Sequence, residues 1–353
     1  MSRSLETGAA TLQELLGTRW PIVQAPMAGV QGSALVAAAS NAGALGSLPC
    51  AMLGVDALRS ELAAIEARTD RPYGVNFFCH APPAPDPARE AAWRAALSRY
   101  YREFGIDPAT IPAGPGRLPF DAQAADVLDE WKPRVVSFHF GLPPPELMAR
   151  VRATGAAILA CATTVEEARW LEAHGADAII AQGLEAGGHR GLFLSDDVTT
   201  QLGTMALVPQ VVRAVKVPVI AAGGIVDAAG VRAARALGAA GVQAGTAFLL
   251  CPEATTPAHH RAAIKSDAAS HTALTNLFTG RPARGIVNRL MRELGPIGPA
   301  PAFPLAAAAL APLRAEAEAR GSADFSQLWC GENASACREV PAAEVVAALA
   351  AGL

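Results

Sequence analysis

The sequence predicts an α/β fold, a (β/α)8 TIM barrel with a smaller, mainly helical second domain formed by an insertion and the C-terminal region. Eight units, each a short apolar run followed by a segment with helical periodicity, succeed one another between residues 21 and 251. Repetition of this kind over roughly 250 residues is typical of a barrel. A doubly wound open sheet is the main rival, but the turn at 25–32 lacks the Gly-x-Gly-x-x-Gly pattern of dinucleotide-binding sheets.

Composition and charge indicate a compact chain and exclude several classes of partner. Of the 353 residues, 51% are hydrophobic and 17% are charged, which favours a packed core over disorder. The net charge of −3 gives no electrostatic reason to expect nucleic acid or a membrane surface as a partner. No apolar run reaches the roughly 20 residues of a membrane span, and the alanine-rich run 306–311 is too short.

The N-terminus and the cysteines predict a cytoplasmic location. No basic region precedes an apolar core at the start of the chain, so we expect no secretory signal. The six cysteines show no Cys-x-x-Cys spacing, which argues against a zinc site and for reduced thiols. The sequence does not specify an oligomeric state.

The first three units have short strands with helix signals between them. Strands are predicted at 21–27, 44–48 and 73–78, helices at 33–40 and 56–68, and a helical lead-in at 11–18. Ser33 is a predicted N-cap and Gly43 a helix stop, because a hydroxyl satisfies the first turn and glycine accepts a left-handed conformation.

An insertion at 79–133 then interrupts the alternation, and it is far longer than an ordinary connection. It opens with a proline-rich piece and contains predicted helices at 89–104 and 122–131. We interpret it as a lid or as part of a second domain.

Five further units follow the insertion. Their strands are predicted at 135–140, 157–162, 177–183, 218–224 and 241–249, and the helices between them at 145–153, 165–174, 205–215 and 228–237. Thr163 or Thr164 and Asp227 are the predicted helix caps. Beyond these units, residues 252–325 are predicted to be mostly helical. The expected division is a barrel of 1–78, 134–251 and 325–353, to which a last helix at 342–350 returns, and a small substrate or lid domain of 79–133 and 252–324.

The stretch from Asp177 to Gly191 carries the first candidate for chemistry. It begins as a buried strand and continues into a loop with Gly187 and Gly188, where side chains are removed from a sharp turn or a ligand contact. His189 follows at the strand end, which is where α/β proteins place active sites. A tight turn with a surface histidine is the alternative interpretation.

Two more glycine loops follow the seventh and eighth barrel strands, at Gly223–Gly224 and at Gly245–Thr246. Loops at these two strand ends commonly bind phosphate through backbone N–H groups, and a Cβ would keep the phosphate away. Glycines needed only for close barrel packing are the alternative.

Three polar or flexible side chains lie at other strand ends. Met27 is either core filler or a contact for a flat ring. Asn76 and Gln182 lie among apolar neighbours, so their amides need partners, either the edge of a bound ring or the protein backbone.

Several motifs together resemble the nitronate monooxygenase family, formerly called 2-nitropropane dioxygenase. The similar segments are Pro21–Gly29, Gly74–Asn76, Val136–Gly141, Ala181–Gly191, Val219–Ile225 and Gly241–Phe248, with weaker similarity at Gly280–Gly285 and Leu328–Gly331. The Glu-Ala-Gly-Gly-His run at 185–189 is the specific part.

The resemblance implies an FMN-dependent barrel enzyme that oxidises alkyl nitronates with molecular oxygen and gives a carbonyl compound and nitrite. It assigns His189 as the catalytic base or nitronate anchor and His139 as a second histidine facing the substrate. The positions that it implies for FMN are Ala25, Pro26, Met27, Asn76, Gln182, Gly187, Gly188, Gly223, Gly224, Gly245 and Thr246, of which the last four form the phosphate cradle. An imidazole titrates near neutral pH, which suits either role of His189.

The sequence also departs from this pattern on the substrate side. Phe303, Ala307 and Ala311 stand where one subgroup has tyrosines and a lysine, and Glu332 stands where a glutamine is common. The second hypothesis is an NAD(P)H-dependent FMN reductase of a quinone or an enoyl thioester, because related FMN barrels catalyse both kinds of reaction. The third hypothesis is a non-catalytic flavin-binding protein.

Overall fold

The computed structural model of the chain describes residues 11–111 and 117–353. The strands are β1 (Ile22–Gln24), β2 (Leu45–Pro49), β3 (Tyr73–Phe78), β4 (Val135–His139), β5 (Ala157–Ala162), β6 (Ala178–Gln182), β7 (Gly188–His189), β8 (Val219–Ala222), β9 (Gly241–Ala244), β10 (Thr272–Thr275) and β11 (Ala283–Ile286). The helices are α1 (Leu12–Leu16), α2 (Ser33–Asn41), α3 (Val55–Glu66), α4 (Pro87–Phe104), α5 (Ala122–Trp131), α6 (Pro145–Ala153), α7 (Val165–Ala173), α8 (Thr204–Ala214), α9 (Ala228–Ala236), α10 (Ala258–Ile264), α11 (Arg289–Leu294), α12 (Ala306–Ala319) and α13 (Ala342–Ala350).

Eight parallel strands, β1 to β6 followed by β8 and β9, form a closed barrel, which confirms the predicted (β/α)8 barrel. The barrel closes where β1 pairs with β9, with Ile22 opposite Val242. β3 and β5 are buried along their whole length, because they lie between a filled barrel interior and an outer layer of helices.

The short helix α1 covers the N-terminal end of the barrel. Its Leu12 and Leu16 are buried in one cluster with Val23, Leu45 and Val135 of the strands. A capping box between Thr11 and Glu14 starts this helix. Because leucines fill this end, the carboxyl ends of the strands form the face that is open to a ligand.

Several element ends differ from the prediction for local reasons. Gly32 is the N-cap of α2, and Ser33 is its first residue. β1 ends at Gln24, three residues before the predicted end. β9 ends at Ala244, because a 3-10 turn at Thr246–Phe248 replaces the predicted continuation of this strand to 249. The predicted caps Thr164 and Asp227 are confirmed, and both accept a backbone hydrogen bond from the first turn of their helices.

Helix α5, which lies within the predicted insertion, packs against a helix of the barrel. Helix α5 buries Ala125, Val127 and Leu128 in the same cluster as Leu58 and Leu62 of α3. It therefore completes the outer helical layer of the barrel between α3 and α6, although it was assigned to the 79–133 part of the small domain. Residues 112–116, between the two predicted helices of the insertion, lie outside the described residues.

Helix α4 of the insertion packs against α12 of the C-terminal region. Trp93 and Tyr101 of α4 donate hydrogen bonds from their side chains to the carbonyls of Ala306 and Ala309, at 3.2 and 2.7 Å. A shared apolar cluster joins these helices with α11 and Phe325. The assignment of this region as a separate domain stays a prediction.

An antiparallel hairpin, β10 and β11, lies within the region predicted to be mostly helical, so that prediction was wrong for 272–286. The hairpin extends to β7, where Ala283 pairs with His189. Its sequence signal is weak, because Thr272–Thr275 contains two β-branched residues and Ala283–Ile286 contains one. Within 11–111 and 117–353, no helix is long and apolar enough to cross a membrane.

Candidate active site

A large cavity opens at the carboxyl ends of the barrel strands. It encloses about 1350 Å³ of empty space when its open mouth is included, and ligand pockets typically measure roughly 300–1,000 Å³. All thirteen predicted site residues line it, from Ala25, Pro26 and Met27 after β1 to Gly245 and Thr246 after β9. The roles of these residues toward a cofactor or a substrate stay predictions.

Two buried glutamines fix the loop after β1. The Gln31 Oε1 atom accepts hydrogen bonds from the Met27 N–H at 2.9 Å and from Gln24 Nε2 at 2.7 Å. Gln31 Nε2 donates to the carbonyl of Ser47 at 2.9 Å, which ties the loop to β2. Sequence reasoning missed this pair, although a polar residue inside an apolar strand, such as Gln24, signals a side-chain network.

The two glycine loops present backbone N–H groups to the cavity. Gly223 and Gly224 have φ angles of 124° and 70°, a region that favours glycine. Gly245 is the N-cap of the 3-10 turn without a side-chain cap, and in the described part of the chain neither Gly224 N–H nor Thr246 N–H donates to another group. Unpaired N–H groups at a turn favour an anion, so this cradle fits a phosphate.

Residues behind the cradle hold its loops in place. Thr246 Oγ1 accepts a hydrogen bond from Gly331 N–H at 3.0 Å, and Asn333 Nδ2 donates to the Gly224 carbonyl at 3.0 Å. The Glu185 carboxylate accepts hydrogen bonds from the backbone N–H and the hydroxyl of Thr204, so it faces the N-terminus of α8. These contacts bring the Trp329–Asn333 segment over the cradle, which no local sequence signal indicated.

Glu332, which departs from the family pattern, has a structural partner. Its carboxylate forms an ion pair with Arg284 at 2.9 Å, and Arg284 Nε donates to the Leu184 carbonyl at 2.9 Å. The pair therefore links β11 to the loop that precedes His189.

His189 lies on a paired strand and not on the flexible loop that was predicted. Its carbonyl accepts hydrogen bonds from Gln182 Nε2 at 2.9 Å and from His139 Nε2 at 3.2 Å. Gln182 Oε1 also accepts from Gly191 N–H at 2.8 Å. Both the Nε2 and the Oε1 atom of Gln182 are thus hydrogen-bonded to backbone groups. This favours a structural role for Gln182 over a contact with the edge of a bound ring.

The hydrogen bonds around the His189 ring favour the tautomer with a proton on Nε2. Nε2 lies 2.9 Å from Thr279 Oγ1, and this hydroxyl lies 3.4 Å from the carbonyl of Arg281. A hydroxyl that donates to the carbonyl must accept from Nε2, which leaves a lone pair on Nδ1. No group in the described chain hydrogen-bonds to Nδ1, so this nitrogen is free to act on a ligand.

Burial, and then the positive charge of Arg117, hold the pKa of His189 well below its usual range. Burial likewise lowers the pKa of His139 to about 3. Both rings are therefore neutral near pH 7. A neutral His189 suits a base and does not suit a cationic anchor for a nitronate.

Aromatic rings surround His189 on the side away from the cradle. Phe303 packs edge-on against it with ring centroids 5.4 Å apart, and Phe78 and Phe140 pack at 6.1 and 6.0 Å. Phe303, which stands where a tyrosine was expected, thus presents a ring without a hydroxyl to His189 and is not among the residues that line the cavity. Ala307 is half-buried and Ala311 is exposed, and neither is among the residues that line the cavity.

Asn76 keeps one side of its amide available. Its Nδ2 donates to Ser137 Oγ at 2.9 Å and, more weakly, to the Ser137 carbonyl at 3.2 Å. Among the described residues, none donates to its Oδ1 atom, and Asn76 lines the cavity. Asn76 can therefore accept a hydrogen bond from a ligand.

Comparison with known proteins identifies the family. A family model described as nitronate monooxygenase matches residues 9–352. The chain belongs to this family. A nitronate monooxygenase of Pseudomonas aeruginosa is 45% identical over 339 residues, which cover 95% of this chain and 96% of that protein. One of Paraburkholderia phytofirmans is 43% identical over 349 residues, with coverages of 98% and 95%.

Solved structures agree with this membership of the nitronate monooxygenase family. A nitroalkane oxidase from Streptomyces ansochromogenes superimposes with a TM-score of 0.87 at 40% identity, covering 98% of each chain. FabK from Thermotoga maritima superimposes with a TM-score of 0.72 at 27% identity, covering 97% of this chain and 95% of that one. The chain is thus an oxidoreductase of a flavin-using family.

Proposed function

We propose that this enzyme oxidises small alkyl nitronates, and the parent nitroalkanes, with bound FMN and molecular oxygen to a carbonyl compound and nitrite. The observation that carries the proposal is the free Nδ1 atom of His189 in the cavity that also contains the unpaired N–H groups of Gly224 and Thr246. One cavity thus combines a base with an anion cradle.

The described residues fit FMN. Gly223, Gly224, Gly245 and Thr246 would hold its phosphate, because the N–H groups of Gly224 and Thr246 have no partner among the described residues. The Asn76 amide would accept a hydrogen bond from its ring system, and Met27 would lie against it. When bound, FMN accepts electrons from the substrate and passes them to oxygen.

His189 would take the α-proton of a neutral nitroalkane on Nδ1, while Thr279 and the His189 carbonyl contacts keep the ring in place. A nitronate has already lost that proton, so it needs His189 less. Phe78 lines the cavity beside the His189 ring, and the buried Phe140 and Phe303 pack against the same ring. This apolar cluster would exclude water and favour a short alkyl group over a polar one. We further propose a cytoplasmic location, where the six free cysteines remain reduced.

The test is nitrite release by the FMN-loaded protein in air, with 2-nitropropane and with its nitronate. We expect nitrite and acetone together, at a rate that falls to background in protein freed of flavin. Flavin-loaded protein that releases no nitrite from either compound would refute the proposal.

A further inference from the structure

Helix α10 brings an unexplained histidine to the cavity. His260 is 2% exposed, and its ring lines the cavity together with Leu249 and Trp329. Its Nε2 atom is buried and has no hydrogen-bond partner in the part of the chain that the structure describes. A buried polar atom without a partner costs about 1–3 kcal/mol, so a bound molecule that satisfies it would gain affinity.

The other ring nitrogen determines which kind of partner Nε2 can take. The Trp329 carbonyl faces the His260 ring, and because Nε2 has no partner, this carbonyl faces Nδ1 and favours a proton there. Burial, and then neighbouring His259, lower the pKa of His260 to about 4, so the ring is neutral near pH 7. A neutral imidazole with a proton on Nδ1 has a lone pair on Nε2. Nε2 therefore suits a hydroxyl or N–H donor and does not suit a phosphate oxygen.

The position of α10 indicates which part of a cofactor it would meet. Arg261, the next residue, donates to the carbonyls of Leu250 and Cys251 at 2.8 and 2.7 Å. These carbonyls follow directly after the 3-10 turn at Thr246–Phe248, so His260 is fixed beside the phosphate cradle. In FMN the group that adjoins the phosphate is the ribityl chain, which has three hydroxyls free to donate.

We propose that His260 is a cofactor-positioning residue whose Nε2 atom accepts a hydrogen bond from a ribityl hydroxyl of the flavin. This inference rests on the proposed use of FMN. It adds a contact from outside the eight barrel units, since α10 follows the last barrel strand and carries none of the motifs typical of the family.

The test compares dissociation constants of three flavins for flavin-free protein, by quenching of flavin fluorescence. FMN has phosphate and hydroxyls, riboflavin has hydroxyls only, and lumiflavin has neither. For His260→Leu we expect FMN and riboflavin to bind roughly fivefold to a hundredfold more weakly, and lumiflavin to bind as it does to the wild type. His260→Gln retains an acceptor and should recover most of the affinity, and thermal melting checks that both variants fold.

Each other outcome overturns the inference. If His260→Leu binds all three flavins as tightly as the wild type does, His260 is a packing residue. If only FMN binding is weakened, His260 contacts the phosphate. If lumiflavin binding is weakened as much as FMN binding, His260 contacts the flavin ring. A wild-type protein that binds no flavin would instead refute the proposed function, so the two failures are distinguishable.

Discussion

The two sides of the cavity are built in different ways. The cradle at Gly223–Gly224 and Gly245–Thr246 consists of backbone groups from two consecutive barrel units. The wall around His189 is formed by Phe78 of β3, which lines the cavity, and by side chains that pack against or hydrogen-bond to the His189 ring, namely Phe140 after β4, Thr279 between β10 and β11, and Phe303 before α12. The cradle therefore depends on local backbone conformation, and the wall depends on tertiary packing.

The largest effect is expected from a change in the cradle. Gly224→Val places a β-branched residue at a φ of 70°, so the turn must change and its N–H can no longer face a phosphate. We expect purified protein without bound FMN, measured by visible absorbance. Gly321→Val is the control, because Gly321 has a similar φ of 78° and no atom within 4 Å of an added Cβ. A Gly224→Val protein that remains fully yellow would contradict the cradle.

Replacement of the base His189 should lower the rate of catalysis and leave FMN binding in the cradle unchanged. His189→Asn removes the nitrogen that takes the α-proton, so kcat for 2-nitropropane should fall by roughly 10²- to 10⁴-fold. Turnover of the nitronate should fall much less, and bound FMN should stay at the wild-type level. An equal fall for both substrates would mean that His189 does not act as the base.

A smaller effect is expected from the hydroxyl that orients His189. Thr279→Val removes the acceptor for Nε2–H, so the tautomer with a free Nδ1 is no longer favoured. Loss of one neutral hydrogen bond predicts a roughly tenfold fall in kcat for 2-nitropropane. Thr279→Ser keeps the hydroxyl and should behave like the wild type. If kcat falls as far in Thr279→Ser as in Thr279→Val, the hydroxyl does not orient His189.

The smallest effect is a shift in pH dependence. Burial lowers the pKa of His189 most, and the charge of Arg117 lowers it further. In Arg117→Met the pKa should rise, and because the base acts in its neutral form, kcat/KM for 2-nitropropane should fall at a higher pH than in the wild type. Arg59→Met is the control, since Arg59 pairs with Glu130 on the outer surface. A shift toward lower pH would contradict the assigned electrostatics.

The same contrast explains what the sequence could predict. The barrel strands and the glycines of the cradle follow from apolar runs and from glycine at strand ends, which are local signals. The hairpin at 272–286, the return of Trp329–Asn333 over the cradle and the placement of α5 in the barrel layer depend on contacts between distant residues. Gln182 is an example of what the sequence could not predict. Its amide could bind either a ligand or the backbone, and only the folded positions of His189 and Gly191 show that it binds the backbone.

The most direct test of the central claim is anaerobic mixing of the yellow protein with either the nitronate of 2-nitropropane or NADH and NADPH, followed by flavin absorbance. Our account predicts that the nitronate bleaches the flavin rapidly and that the nicotinamides leave it oxidised. Rapid bleaching by NADH or NADPH, with no response to the nitronate, would contradict it and would favour a reductase of a quinone or an enoyl thioester.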